Sequence, residues 1–145
     1  MTRLLYVIAP LLTFTVVYGS LMDMNSVPSP NIEHIDKVYH GKAYYWLTIT
    51  WYLFFYKKFI DRQGVFKIEN LSVYLTWSPL MAIGSAVLCV FIGGSLELIQ
   101  EWFTENRTMD VWDMVANLSG IVIAVVSIAV VSKLYQHFKR TKAEN

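Results

Sequence analysis

Residues 111–134 read VWDMVANLSGIVIAVVSIAVVSKL, and this stretch decides the fold. From Ile121 to Val131 it is apolar throughout except for Ser127. A bilayer core of roughly 30 Å takes about 20 helical residues, so a run of this length and composition reads as a span. It must be a helix, because lipid offers no partner to an unpaired backbone amide. Working outward, three more runs have the same character: Leu4 to Met22, broken only by Pro10; Val38 to Tyr56, aromatic and less apolar; and Leu71 to Leu96, with Pro79 near its start. The expected fold class is therefore all-α, an integral membrane bundle of four transmembrane helices forming one domain over residues 1–145, with helices at about 4–22, 38–56, 71–96 and 111–134.

The composition agrees. Hydrophobic residues make up 55% of the chain and charged ones 16%, too few to cover the outside of a soluble domain. The formal net charge of +1 supplies no basic field for nucleic acid. The single cysteine, Cys89, lies in an apolar run, so it reads as a small hydrophobe. The first run has a rival reading as a cleaved signal peptide, with Arg3 before it and Gly19 and Ser20 near its end. It is long for that role and has no clear small-x-small cleavage site, so a retained helix is expected.

Orientation follows from the positive residues. Lys57, Lys58, Arg62 and Lys67 are expected in the loop after the second helix, and Lys133, Lys139, Arg140 and Lys142 at the C-terminal tail. With Arg3 they fall on one side of four alternating helices, which the positive-inside rule makes cytoplasmic, together with both termini. The other side keeps Lys37, Lys42 and Arg107 among many acids, with Trp102 and Trp112 at the interface.

Polar residues gather at that outer side. Counting about 20 residues from Lys57 puts Asp36 and Lys37 at the outer boundary, with His40 about one turn deeper and Tyr44 about two. The same count from Lys133 puts Asp113 at the boundary and Asn117 about a turn below. Glu97 and Gln100 reach this layer from the third helix. At 100° per residue, Asp110, Asp113, Asn117 and Gly120 share an arc of about 80°, and Asp36, Lys37, His40 and Tyr44 one of about 100°. Such faces turn toward each other or toward water, because lipid penalises them. Lys42 points away from Lys37 and is expected to snorkel to outer headgroups.

Plainer roles stand beside these. Asp110 suits a helix cap with Asp113 in the first turn. Gly120 and Ala124 form a small-xxx-small pair, and packing is the better reading of Gly120. Glu101 and Glu105 read as solvated loop charges and His34 as an exposed loop residue.

The segment Asp36-Lys37-Val-Tyr-His40-Gly-Lys-Ala-Tyr44 resembles the opening motif of VanZ-like membrane proteins. Glu97-Leu-Ile-Gln100, then Arg107, Asp110, Asp113 and Asn117-Leu-Ser-Gly120, resembles the second motif of that family. The resemblance covers helices two to four, in order and spacing. Two departures are visible: Gly41 follows the histidine where an aromatic is common, and Glu105-Asn106 replace a proline before the arginine. The resemblance implies a multipass protein of the bacterial cytoplasmic membrane. The family's namesake is linked to lowered susceptibility to the glycopeptide antibiotic teicoplanin.

Three functions fit these residues. The first is a binding site for an envelope component, a lipid headgroup or a cell-wall precursor. Lys37, His40 and Arg107 would donate to phosphate or carboxylate there, and Glu97, Asp110 and Asp113 would accept from sugar hydroxyls. Membrane lipids are the expected partners. The second is a membrane enzyme using His40 and Glu97 as acid and base with Arg107 stabilising charge, although no nucleophile elbow is visible. The third is a structural cluster locking three helices. Oxygen ligands for a divalent metal exist at Asp110, Asp113, Glu97 and Asn117, but their spacing does not require one, and no cofactor is expected.

Overall fold

The computed structural model describes residues 4–21, 35–63, 75–103 and 110–144. These form four α-helices and, among the described residues, no strand: α1 (Leu5–Leu21), α2 (Ile35–Arg62), α3 (Pro79–Phe103) and α4 (Val111–Glu144). The all-α class holds. Two helices, α3 and α4, are long and apolar enough to cross a membrane, and α1 is a shorter apolar helix of 17 residues. The large hydrophobics of α3 and α4 face mostly outward, among them Leu80, Ile83, Val87, Phe91, Val122, Ile123 and Val126. A soluble protein would bury such faces, so these two helices mark a membrane protein.

Three boundaries differ from the sequence reading. The third helix starts at Pro79 rather than near residue 71; residues 75–78 form a non-helical turn. Proline fixes its own φ and disfavours the α region at Ser78, so it opens a helix more readily than it continues one. Tyr52 holds that turn: its hydroxyl donates to the Thr76 carbonyl at 3.0 Å and accepts from the Ser78 amide at 3.2 Å. The second helix runs to Arg62, so Lys57, Lys58 and Arg62 are helical and not loop residues. The fourth continues to Glu144, because residues 135–144 contain neither glycine nor proline to stop it. Hydropathy locates the apolar part of a helix, not its ends.

The least apolar helix sits at the centre. α2 packs against α1, α3 and α4, most extensively against α4. Tyr44 and Leu47 of α2 join Cys89 of α3 and Ile121 of α4 in one buried cluster, and Tyr52, Tyr56, Ile60 and Ala82 form a second. The α2–α4 seam is set by two glycines. A Cβ placed on Gly120 would overlap the Gly41 carbonyl oxygen and lie 3.1 Å from the Tyr45 amide nitrogen. Only glycine at 120 lets the two backbones meet this closely. This contact also gives Gly41 a place in the fold, at a position where the resemblance led one to expect an aromatic nearby.

Hydrogen bonds fasten α1 at three heights. Tyr6 Oη donates to Asp61 at 2.7 Å, the Trp51 indole donates to Thr13 Oγ1 at 3.0 Å, and Gln100 Nε2 donates to the Ser20 carbonyl at 2.6 Å.

Candidate functional site

The glycine contact fixes what happens one turn away. With α2 pressed onto α4 at Gly41 and Gly120, Lys37 comes within reach of the start of α4. Its ammonium donates to Asp110, to Asp113 Oδ1 at 2.5 Å, and contacts Asp36 Oδ2 at 2.9 Å. One cation therefore bridges three carboxylates on two helices. The Lys37 side chain is only 20% exposed, which strengthens these charge-assisted bonds over those of a fully solvated pair.

Asp110 has two tasks. Oδ1 accepts the Trp112 amide at 2.8 Å, the N-cap bond of α4, while Oδ2 accepts from Lys37. Lys37 first and the Trp112 amide second hold its carboxyl below the usual carboxylate range, since both favour the charged form. Asp113 is similarly shared: beyond its bond to Lys37, Oδ2 lies 3.7 Å from His40 Nε2. That is too long for a hydrogen bond and within range of an ionic contact once the imidazole is protonated.

Deeper in, Glu97 of α3 is 2% exposed and Asn117 of α4 is 5% exposed. Glu97 Oε2 and Asn117 Oδ1 have no hydrogen-bond partner among the described residues. Among the described residues, Asp113, His40 and Asp110 are charged neighbours of Glu97, and the Asp110 backbone hydrogen-bonds its carboxyl group. Two orphaned acceptors thus sit beneath a lysine whose charge is already committed. Leaving a buried acceptor unpaired costs about 1–3 kcal/mol, so such atoms mark a place where a donor is wanted.

The predicted residues are unevenly gathered. Lys37, His40, Asp110 and Asp113 converge, with Glu97 and Asn117 buried alongside, and Asp36 stands at the rim, 46% exposed. Tyr44 is buried against Gly93 of α3, where a Cβ would lie 3.2 Å from its ring. Gln100 turns aside to α1, acting as a strut. Arg107, expected to pair with Glu97 or Asp113, lies outside the described residues, as do Glu105 and His34. Among the described residues, no three His, Cys, Asp or Glu side chains are grouped to hold a metal ion.

A second polar group at the far end of α2 escaped the sequence reading. Lys57, only 9% exposed, pairs with Asp61 and lies 5.6 Å from the centre of the Tyr6 ring. The i,i+4 spacing of Lys57 and Asp61 was the available signal.

Comparison with known protein families, curated proteins and solved structures finds no match to this chain.

Proposed function

We propose that this is a VanZ-like multipass protein of the bacterial cytoplasmic membrane, crossing the bilayer four times with both termini cytoplasmic. In this reading the outer ends of α2, α3 and α4 bind the polar head of a cell-envelope component, a lipid headgroup or a cell-wall precursor. The observation that carries it is the pair of acceptors, Glu97 Oε2 and Asn117 Oδ1, without a partner among the described residues, below a lysine already held by three carboxylates. Intramembrane ionisable groups mark functional sites by default. Among the described residues, the four carboxyl groups at positions 36, 97, 110 and 113 outnumber Lys37 and His40, which favours a ligand that donates hydrogen bonds, through hydroxyl or ammonium groups. Crossing by α2 is consistent with its central position, where neighbours cover its polar face.

The Lys37 bridge between helices also supports a structural reading, and one experiment separates the two. The parent, His40→Ala and Glu97→Gln are purified in nanodiscs and melted, and teicoplanin susceptibility is measured in the host. A binding site predicts variants that accumulate and melt like the parent but lose the phenotype, and a ligand-induced rise in Tm for the parent alone. If both variants instead fail to accumulate, the cluster is structural glue and the binding proposal falls.

A further inference from the structure

Between α1 and α2 runs an open cleft of about 620 Å³. Its walls are apolar, with Leu12 and Val16 from α1 and Ala43 from α2, and its polar side chains include Asp36, His40 and Lys42 at the end where the candidate site lies. This layout is that of an amphiphile. We infer that the cleft seats one hydrocarbon chain of an amine-headed phospholipid, with the lipid phosphate at Lys42 and its ammonium at Asp36. The inference rests on the outward orientation proposed above and names the ligand class of that site.

Size and charge both favour this occupant. The volume lies within the roughly 300–1,000 Å³ of ordinary ligand pockets. From Leu12 to Ser20 the cleft follows eight residues of helix, about 12 Å, close to the roughly 15 Å of one leaflet's hydrocarbon. Lys42 is exposed, with no ion-pair partner among the described residues. Asp36 keeps 46% of its side chain exposed despite Lys37, leaving room for a second cation. The two lie six residues apart on α2, about 9 Å along its axis, a separation that the flexible Lys42 stem shortens by snorkelling toward the outer surface. A zwitterionic amine head meets both. An anionic head would satisfy Lys42 but meet the carboxylate of Asp36, which lines the same cleft. A choline head carries no N–H to donate. His40 lines the cleft and also faces Asp113, so the head would lie against the acceptor-rich site.

Gly19 offers a direct test, because it lines the cleft and a Cβ added there meets nothing within 4 Å. Gly19→Trp would therefore fill the cleft without straining the helix. The full chain in nanodiscs is photolabelled with phosphatidylethanolamine carrying a diazirine in one acyl chain, and the labelled peptides are mapped. Labelling should concentrate on residues 12–20 and 39–46 and be competed by unlabelled phosphatidylethanolamine better than by phosphatidylglycerol. Gly19→Trp should cut it by more than about tenfold, since excluding each methylene costs about fourfold in affinity. Lys42→Glu should reduce labelling while leaving Tm unchanged. Uniform labelling of α3 and α4, indifference to Gly19→Trp, or cross-linking of the cleft to residues 22–34 in place of lipid would overturn the inference. Water-soluble glycerophosphoethanolamine separates the two proposals. If it still raises the parent's Tm, and not that of Glu97→Gln, the headgroup site stands and only the chain-binding cleft is lost.

Discussion

Gly120 of α4 rests against the main-chain carbonyl of Gly41 in α2, with no space between them for a methyl group. The contact is lopsided. A Cβ on Gly41 would meet only the Ala116 carbonyl, at an ordinary 3.5 Å. The two glycines are therefore not equivalent, and it is Gly120, the one the sequence marks as a packing residue, that cannot take a side chain. Lys37 stands one turn from this contact, so its reach to Asp110 and Asp113 depends on it.

Alanine at the two positions should separate. Gly120→Ala forces the helices apart and should destabilise by about 1–3 kcal/mol, the range for overpacking. Gly41→Ala meets no such obstacle and gains roughly 0.5–1 kcal/mol of helix preference, so it should be neutral or slightly stabilising. Thermal melting in nanodiscs reads both, and equal losses at the two sites would contradict the asymmetric contact.

Removing the lysine leaves three carboxylates facing one another. Lys37→Met should cost about 1–3 kcal/mol, less than the 3–5 typical of a fully buried pair because the site is partly exposed. Lys37→Met combined with Asp113→Asn should recover part of that loss, and a double-mutant cycle gives the coupling. Strict additivity of the two substitutions would show that the bridge carries no interaction energy.

Asp110 gives the protein an acid limit. Its carboxyl sits below the ordinary range when folded, so its contribution is present above the unfolded-state pKa and is lost as pH falls through the lowered folded value. Asp110→Asn should lower Tm at neutral pH and flatten the decline toward acid. A parent-like slope in the variant would mean that other carboxyls set the acid limit.

Topology can be read with reporters. Fusions after Asn31 and Asn106 should report an extracytoplasmic location, and fusions after Gln63 and Asn145 a cytoplasmic one. A cytoplasmic signal at Asn106 would put the polar site on the wrong face and end the binding proposal.

The sequence made some of this visible and hid the rest for physical reasons. The start of α4 at Val111 was legible because Asp110 is a capping residue before a long apolar run. The start of α3 was not, since the run read as a span takes in residues 75–78, while Pro79 opens the helix and the Tyr52 hydroxyl holds the turn before it. Helical phase placed Lys37, His40, Asp110 and Asp113 on facing sides. It could not show that Lys37 would be taken up by three carboxylates, since that depends on an interhelical distance set by Gly41 and Gly120. Nor could a count of positive residues show that Lys57 is shielded by Asp61 and Tyr6.

The fastening of α1 has a mechanical meaning. The seam between α2 and α4 is backbone against backbone, so opening it means losing close contact at the glycines and the lysine bridge together. The polar fastenings of α1 include hydrogen bonds at Tyr6, Thr13 and Ser20, each worth about 1 kcal/mol net. The molecule is thus a stiff three-helix frame with a softer fourth stave. Under heat or load that stave should part first, widening the space beside α2 while the carboxylate cluster stays intact.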